Sequence, residues 1–139
     1  MNIDKAKREL ISYRLKQAKE ALQDAMTLAS HGGTPRTMVN RSYYAMYYAT
    51  LALMVSVDES VSKHSGAISL FDKHFVRLGL FPKELSKSLH WAFKFRQQSD
   101  YQEMFTVSPE DASEAIARAD EFITAIRTYL HDKGFALDL

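Results

Sequence analysis

Arg96 stands where an amphipathic helix would otherwise bury a leucine. Stepping from Leu85 at about 100° per residue, Leu89, Ala92, Phe93 and Arg96 fall on one arc, and Asp100 continues it one turn further. The arc is apolar, so the guanidinium is expected to point toward the packed side. An unpaired buried charge costs several kcal/mol, and such a group requires a partner carboxylate, a water-filled cleft or an anionic ligand. Arg96, Asp100 and Tyr101 are therefore candidate catalytic residues, with the arginine suited to stabilising negative charge. The alternative is an internal ion pair of Arg96 with Asp100. On an exposed helix face such a pair contributes only about 0.3–0.5 kcal/mol, and arginine before aspartate is the less favourable order.

A second set lies in Asn40-Arg41-Ser42-Tyr43-Tyr44-Ala45-Met46-Tyr47-Tyr48. Tyr44 and Tyr48 follow Arg41 by one and two turns on nearly the same face. A guanidinium among aromatic rings can hold phosphate while the rings stack on a base, so Asn40, Arg41, Tyr44 and Tyr48 are candidate nucleotide or RNA contacts. The competing reading makes these tyrosines core and interface filler, with the stem of Arg41 packed across them. Lys63-His64-Ser65-Gly66 begins another helix, whose free amides and positive dipole end favour an anion. Lys63 and His64 join the nucleotide or RNA set on that ground. A histidine near pKa 6.5 suits proton transfer, although a histidine beside a helix cap also serves structure alone. His31, His74 and His90 show no partner in the sequence. Arg127 and His131 read as a solvated face near a helix C-terminus.

The elements that must position these groups are helical. From about Asp4 to Ser30, Ile11, Leu15, Ala18, Leu22, Ala25, Met26 and Ala29 recur every three to four residues. His31-Gly32-Gly33-Thr34-Pro35 then supplies a glycine stop, an N-cap and a first-turn proline. The helix that follows, to about Val55, is apolar or aromatic nearly all round and needs cover on several sides, from neighbouring helices and a second subunit. A third helix carries Ile68, Leu70, Phe71, Phe75 and Val76 to about Leu78-Gly79. Pro82 opens a fourth that ends near Ser99, before an irregular stretch from Tyr101 to Val107. Ser108-Pro109-Glu110-Asp111 starts a fifth with an N-cap serine and two acids at the positive dipole end. No segment alternates strongly enough to form a strand. The expected fold is all-α, an antiparallel bundle of four to five helices over residues 1–139 as one domain.

Composition narrows the function classes. The 139 residues carry a formal net charge of +1, so no global basic field is present, and phosphate recognition must come from a local cluster. The chain has no cysteine, and its five histidines are scattered rather than set at zinc-ligand spacing, so no metal is expected. No apolar run reaches about 18 residues, and the start Met1-Asn2-Ile3-Asp4-Lys5 is polar. A soluble, cytoplasmic protein without membrane association is expected.

Taken in order, the stretch from Asn40 to Ala49, Lys63-His64-Ser65-Gly66, Phe81-Pro82-Lys83-Glu84-Leu85 and Arg96-Gln97-Gln98-Ser99-Asp100-Tyr101 resemble the small prokaryotic HEPN-domain proteins. The likeness runs from about Lys16 to Leu130. The resemblance implies a helical bundle, usually a homodimer, often encoded beside a minimal nucleotidyltransferase in a toxin–antitoxin pair. Many HEPN toxins are metal-independent ribonucleases, and no cofactor is implied. Active members share an arginine followed, after four to six residues, by a histidine, often with a tyrosine just beyond. Arg96 matches the arginine, but Asp100 and Tyr101 stand close to where the histidine and tyrosine would be. An aspartate is a weak base at neutral pH, so Asp100 suits orienting Arg96 better than taking a 2′-hydroxyl proton. Two readings follow: a metal-independent endoribonuclease with a dimeric cleft around Arg96, or a non-catalytic nucleotide- or RNA-binding module that docks a nucleotidyltransferase. The family also includes systems whose nucleotidyltransferase adenylylates a tyrosine beside this motif, which makes Tyr101 a candidate modification site.

Overall fold

Two helices start in the same way. The Thr34 hydroxyl accepts from the Thr37 N–H at 3.3 Å and the Ser108 hydroxyl from the Asp111 N–H at 3.0 Å. Pro35 and Pro109 then take the first helical position, where a missing N–H leaves nothing unpaired. The computed structural model describes residues 2–135, with side chains from residue 5 onward. Its helices are α1 (Asn2–Ser30), α2 (Pro35–Ser56), α3 (His64–Phe71), α4 (Lys83–Tyr101) and α5 (Pro109–Asp132). No strand occurs among the described residues, and the expected helical bundle is the fold. Between α1 and α2, Gly32 adopts φ +73°, and a Cβ on Gly33 would fall 2.7 Å from that of Leu28. Both positions need glycine.

Two elements depart from the sequence reading. The third helix does not continue unbroken to Leu78-Gly79: its α-helical part ends at Phe71, and Asp72–Val76 form a π-helical turn. Tertiary packing accounts for the wider turn. It lets the rings of both Phe71 and Phe75 reach Phe81, at 5.8 and 5.7 Å, and places Asp72 against α4. There Asp72 accepts from Ser86 Oγ at 2.5 Å and from His90 Nε2 at 2.9 Å. His90 thus has a partner that the sequence did not disclose, as does His74, whose Nε2 lies 3.0 Å from Glu59 Oε1. His31 Nδ1 lies 3.0 Å from the Thr27 carbonyl. The fourth helix begins at Lys83 with Pro82 as its cap and runs through Tyr101, two residues past Ser99. Arg96, Asp100 and Tyr101 therefore ride on one helix.

The all-round apolar character of α2 is explained by its position, since it packs against each of the other four helices. Ala45, Ala49 and Ala52 are fully buried and allow close approach, while Tyr43, Met46 and Leu53 fill the core. Arg36 in the first turn of α2 donates to the carbonyls of Ser99 and Phe105, both at 2.8 Å, and ties the end of α4 to α2. At the other end of the bundle Phe71, with no exposed surface, lies 5.3 Å from Phe122 between ring centroids. Phe71→Ala is expected to lower the free energy of unfolding by about 3–5 kcal/mol in urea titration. A loss below about 1 kcal/mol would show that this aromatic layer is not part of the cooperative core.

Candidate functional site

The fourth helix lays Arg96 across the tyrosine face of α2. Its guanidinium carbon is 5.7 Å from the Tyr43 ring centroid and 5.5 Å from that of Tyr44, within cation–π range. Its side chain is 18% exposed, so the group is largely desolvated but still reaches water. Arg96 Nε lies 3.0 Å from Asp100 Oδ2. Its N–H is not aimed along that line and makes no hydrogen bond, so the contact is a charge interaction rather than a directed one. Among the described residues no protein acceptor meets either terminal amino group of Arg96.

Arg41 shares the Tyr44 ring, with its guanidinium carbon 5.2 Å from the centroid. Its Nε and Nη2 donate to Asn40 Oδ1 at 3.2 and 3.1 Å, so its partner is neutral. Among the described residues two guanidinium groups thus share Tyr44 with one carboxylate, Asp100, beside them, an excess of one positive charge. Arginine donors in such a place suit a phosphate oxygen.

His64, the first residue of α3, enters the same cluster. Its ring stacks on Tyr47 at 4.1 Å and 8°, and it lies 5.7 Å from both Tyr43 and Tyr44, the two rings that Arg96 covers. The Tyr43 hydroxyl and His64 Nδ1 are 2.6 Å apart. Tyr43 has no exposed surface, and His64 is the hydroxyl's hydrogen-bond partner in the structure. If Nδ1 carried the proton, the phenol would bury its own O–H without an acceptor, at about 1–3 kcal/mol. The network therefore assigns the bond as O–H donating to Nδ1, with the neutral imidazole protonated on Nε2. Burial holds the Tyr43 hydroxyl well above the usual tyrosine range, against the pull of Arg96. Burial first and the Arg96 charge second lower the pKa of His64.

Of the residues singled out from sequence, Arg96, Asp100, Asn40, Arg41, Tyr44 and His64 come together here. Tyr48 stands at the edge, its ring 5.8 Å from Tyr44 and 6.1 Å from Tyr47. Tyr101 is 76% exposed at the end of α4. Lys63 is exposed at the cap of α3, and among the described residues no hydrogen bond or ion pair ties it to the cluster. Tyr43 and Tyr47, which the sequence does not single out as site residues, both position His64. The available signal was their four-residue spacing, which puts them on one face, although nothing in the sequence aims that face at α3. Among the described residues no group of three or more His, Asp and Glu could hold a metal ion.

The lowered pKa has a measurable consequence. Titration of the His64 ring by NMR should give a midpoint below the usual 6.5, and Arg96→Gln should raise it. Between the folded value and 6.5 the unfolded chain binds more protons, so stability falls as pH drops through that window. His64→Gln should reduce this dependence, and an unchanged pH profile would contradict the assigned environment.

Comparison with known proteins bears on this geometry. The family profile described as HEPN domain matches residues 11–129. A "UPF0332 protein" of Thermotoga maritima is 35% identical over 126 residues, covering 91% of this chain and 95% of that protein. Two proteins of Methanocaldococcus jannaschii also match. One, named "Putative toxin MJ0142", is 30% identical over 69% of this chain and 65% of its own length. The other, "Putative toxin MJ0605", is 28% identical over 94% of this chain and 96% of its own length. With the profile spanning most of a helical bundle, the chain belongs to the HEPN-domain family.

Proposed function

We propose that this chain is a toxin-like HEPN protein that acts on RNA by gripping the phosphate backbone of a single strand at Arg96 and Arg41. The observation that carries this reading is the Arg96 guanidinium, largely desolvated against two tyrosines, with no acceptor among the described residues meeting either terminal amino group. Phosphate supplies what is missing, which is negative charge and several acceptor oxygens in a geometry that arginine matches. The half-buried ring of Tyr44 offers stacking surface for a base beside Arg96, and Tyr48 at the edge of the cluster offers it for a neighbouring one. The names of the two Methanocaldococcus jannaschii relatives support the toxin-like part of this reading.

Cleavage is the second reading, and the position of His64 favours it. The histidine missing after Arg96 in sequence is met in space by His64, which shares the Tyr43 and Tyr44 rings with that arginine. In the tautomer set by Tyr43, its Nε2–H is a donor suited to a phosphate oxygen and not a base. Asp100, beside a guanidinium, is poorly suited to proton abstraction. Binding therefore takes precedence over turnover. The family resemblance adds a homodimer with one Arg96 from each subunit, and a minimal nucleotidyltransferase partner that adenylylates Tyr101. The exposed hydroxyl-bearing ring of Tyr101 suits such a modification.

Fluorescence anisotropy with single-stranded RNA in EDTA tests the binding reading. Wild-type protein should bind, and Arg96→Gln should weaken binding about ten-fold or more while leaving thermal unfolding unchanged. Equal affinity for the two proteins would reject the site. The same mixtures run on a gel test cleavage: cutting lost in both Arg96→Gln and His64→Gln would establish the nuclease reading. Incubation with a cognate nucleotidyltransferase and ATP should add one or more AMP groups to wild type and none to Tyr101→Phe. An unmodified wild-type mass would remove that regulation.

A further inference from the structure

A groove of 520 Å³ lies beside the Arg96 cluster, between α1, α2 and the segment that follows α2. That volume is in the range of ligand clefts, about 300–1,000 Å³. Its walls include Arg14 of α1, Tyr47 and Tyr48 of α2, and the aliphatic Leu10 and Leu51. Tyr47 is common to both places, since it lines this groove and its ring stacks on His64. The groove and the Arg96 cluster are thus neighbours across one aromatic residue.

The groove has its own cation. Arg14 is half-buried and donates from Nη1 to Gln17 Oε1 at 3.0 Å, and among the described residues no carboxylate lies within ion-pair distance of it. Its charge acts on Tyr47, opposing the rise in the hydroxyl's pKa that burial causes. Among the described residues the one acid on the groove wall is Glu59, which has His74 at 3.0 Å. Among the described residues a guanidinium without a counter-charge therefore lines one groove with two half-buried aromatic rings and aliphatic carbon, while its own cation–π contact is with the exposed Tyr13 ring at 5.7 Å.

A nucleic-acid strand presents that pair of features at every residue, a phosphate and then a base, whereas a mononucleotide presents them once. We propose that Arg14 and Tyr48 form a second nucleotide position adjoining the Arg96 site, so that the ligand is an RNA strand of two or more nucleotides and not a free mononucleotide. This rests on the RNA-binding reading of Arg96. It also gives Tyr47 a role as the divider between consecutive positions, held upright by its stack on His64.

The test uses a 2′-O-methyl oligoribonucleotide, which cannot be cleaved through its 2′-oxygen, with AMP as the mononucleotide probe. Binding to wild type, Arg14→Gln, Arg14→Lys, Tyr48→Leu and Arg96→Gln is followed against salt concentration. Arg14→Gln should reduce the slope of log affinity on log salt by about 0.7, the loss of one phosphate contact on a single strand, while Arg14→Lys keeps it. Tyr48→Leu should weaken oligonucleotide binding about five-fold or more with the slope unchanged. AMP should bind more weakly than the oligonucleotide and be indifferent to Arg14→Gln. If Arg96→Gln weakens the oligonucleotide while Arg14→Gln changes neither affinity nor slope, the second position is refuted and the Arg96 reading stands. AMP binding as tightly as the oligonucleotide would also refute it. Failure of wild type to bind the oligonucleotide would overturn both.

Discussion

One incompletely balanced guanidinium organises this molecule. Arg96 has left most of its hydration behind, and what it receives in return is two aromatic faces and one carboxylate met off-axis. Cation–π contacts contribute about 0.5–2 kcal/mol each, against a desolvation penalty of several kcal/mol for a buried ion. Stability alone does not account for an arginine here, because replacing a buried ion pair with packed apolar residues is often neutral or stabilising. An acceptor-rich guest would complete the balance.

The surroundings are built consistently with that deficit. The second helix packs against every other helix and turns its tyrosines toward both α3 and α4, so the rings beneath Arg96 are part of the core rather than surface additions. Arg36 fastens the end of α4 to the first turn of α2, which fixes the register at which Arg96 crosses the tyrosines. Tyr43 donates into His64 Nδ1 and sets the neutral tautomer, while burial and then the Arg96 charge lower the pKa of the histidine. Among the described residues the donors left without a protein acceptor at the site are the amino groups of Arg96 and the Nε2–H of His64. A donor-rich surface lined by aromatic rings suits an anion with a flat hydrophobic appendage, the form of the nucleotide ligand proposed for it.

Much of this was legible in the sequence because it depends on local rules. Thr34-Pro35 and Ser108-Pro109 announced their helices through capping chemistry, and Gly32-Gly33 announced the turn. The inward aim of Arg96 could be read from angular position on a single helix. What stayed hidden depends on how separate elements meet. The π-helical turn at Asp72–Val76 follows from where Phe71, Phe75 and Phe81 must pack, which no local propensity encodes. The partners of His74 and His90 lie 15 and 18 residues away. The meeting of His64 with Arg96 joins the start of one helix to the end of another. Nothing in the spacing along α1 marks Arg14, which gains its setting only where α2 brings Tyr47 and Tyr48 to the same groove.

The central claim is that the terminal amino groups of Arg96 are held open for a phosphodiester. Its most direct test is nitrogen-detected NMR of the arginine side chains during titration with a non-cleavable 2′-O-methyl dinucleotide, with Arg96→Gln used to assign the signal. The account predicts that the Arg96 guanidinium resonances shift and saturate together with the phosphorus signal of the ligand. Arg96 resonances that stay fixed while the ligand saturates elsewhere on the protein would contradict it.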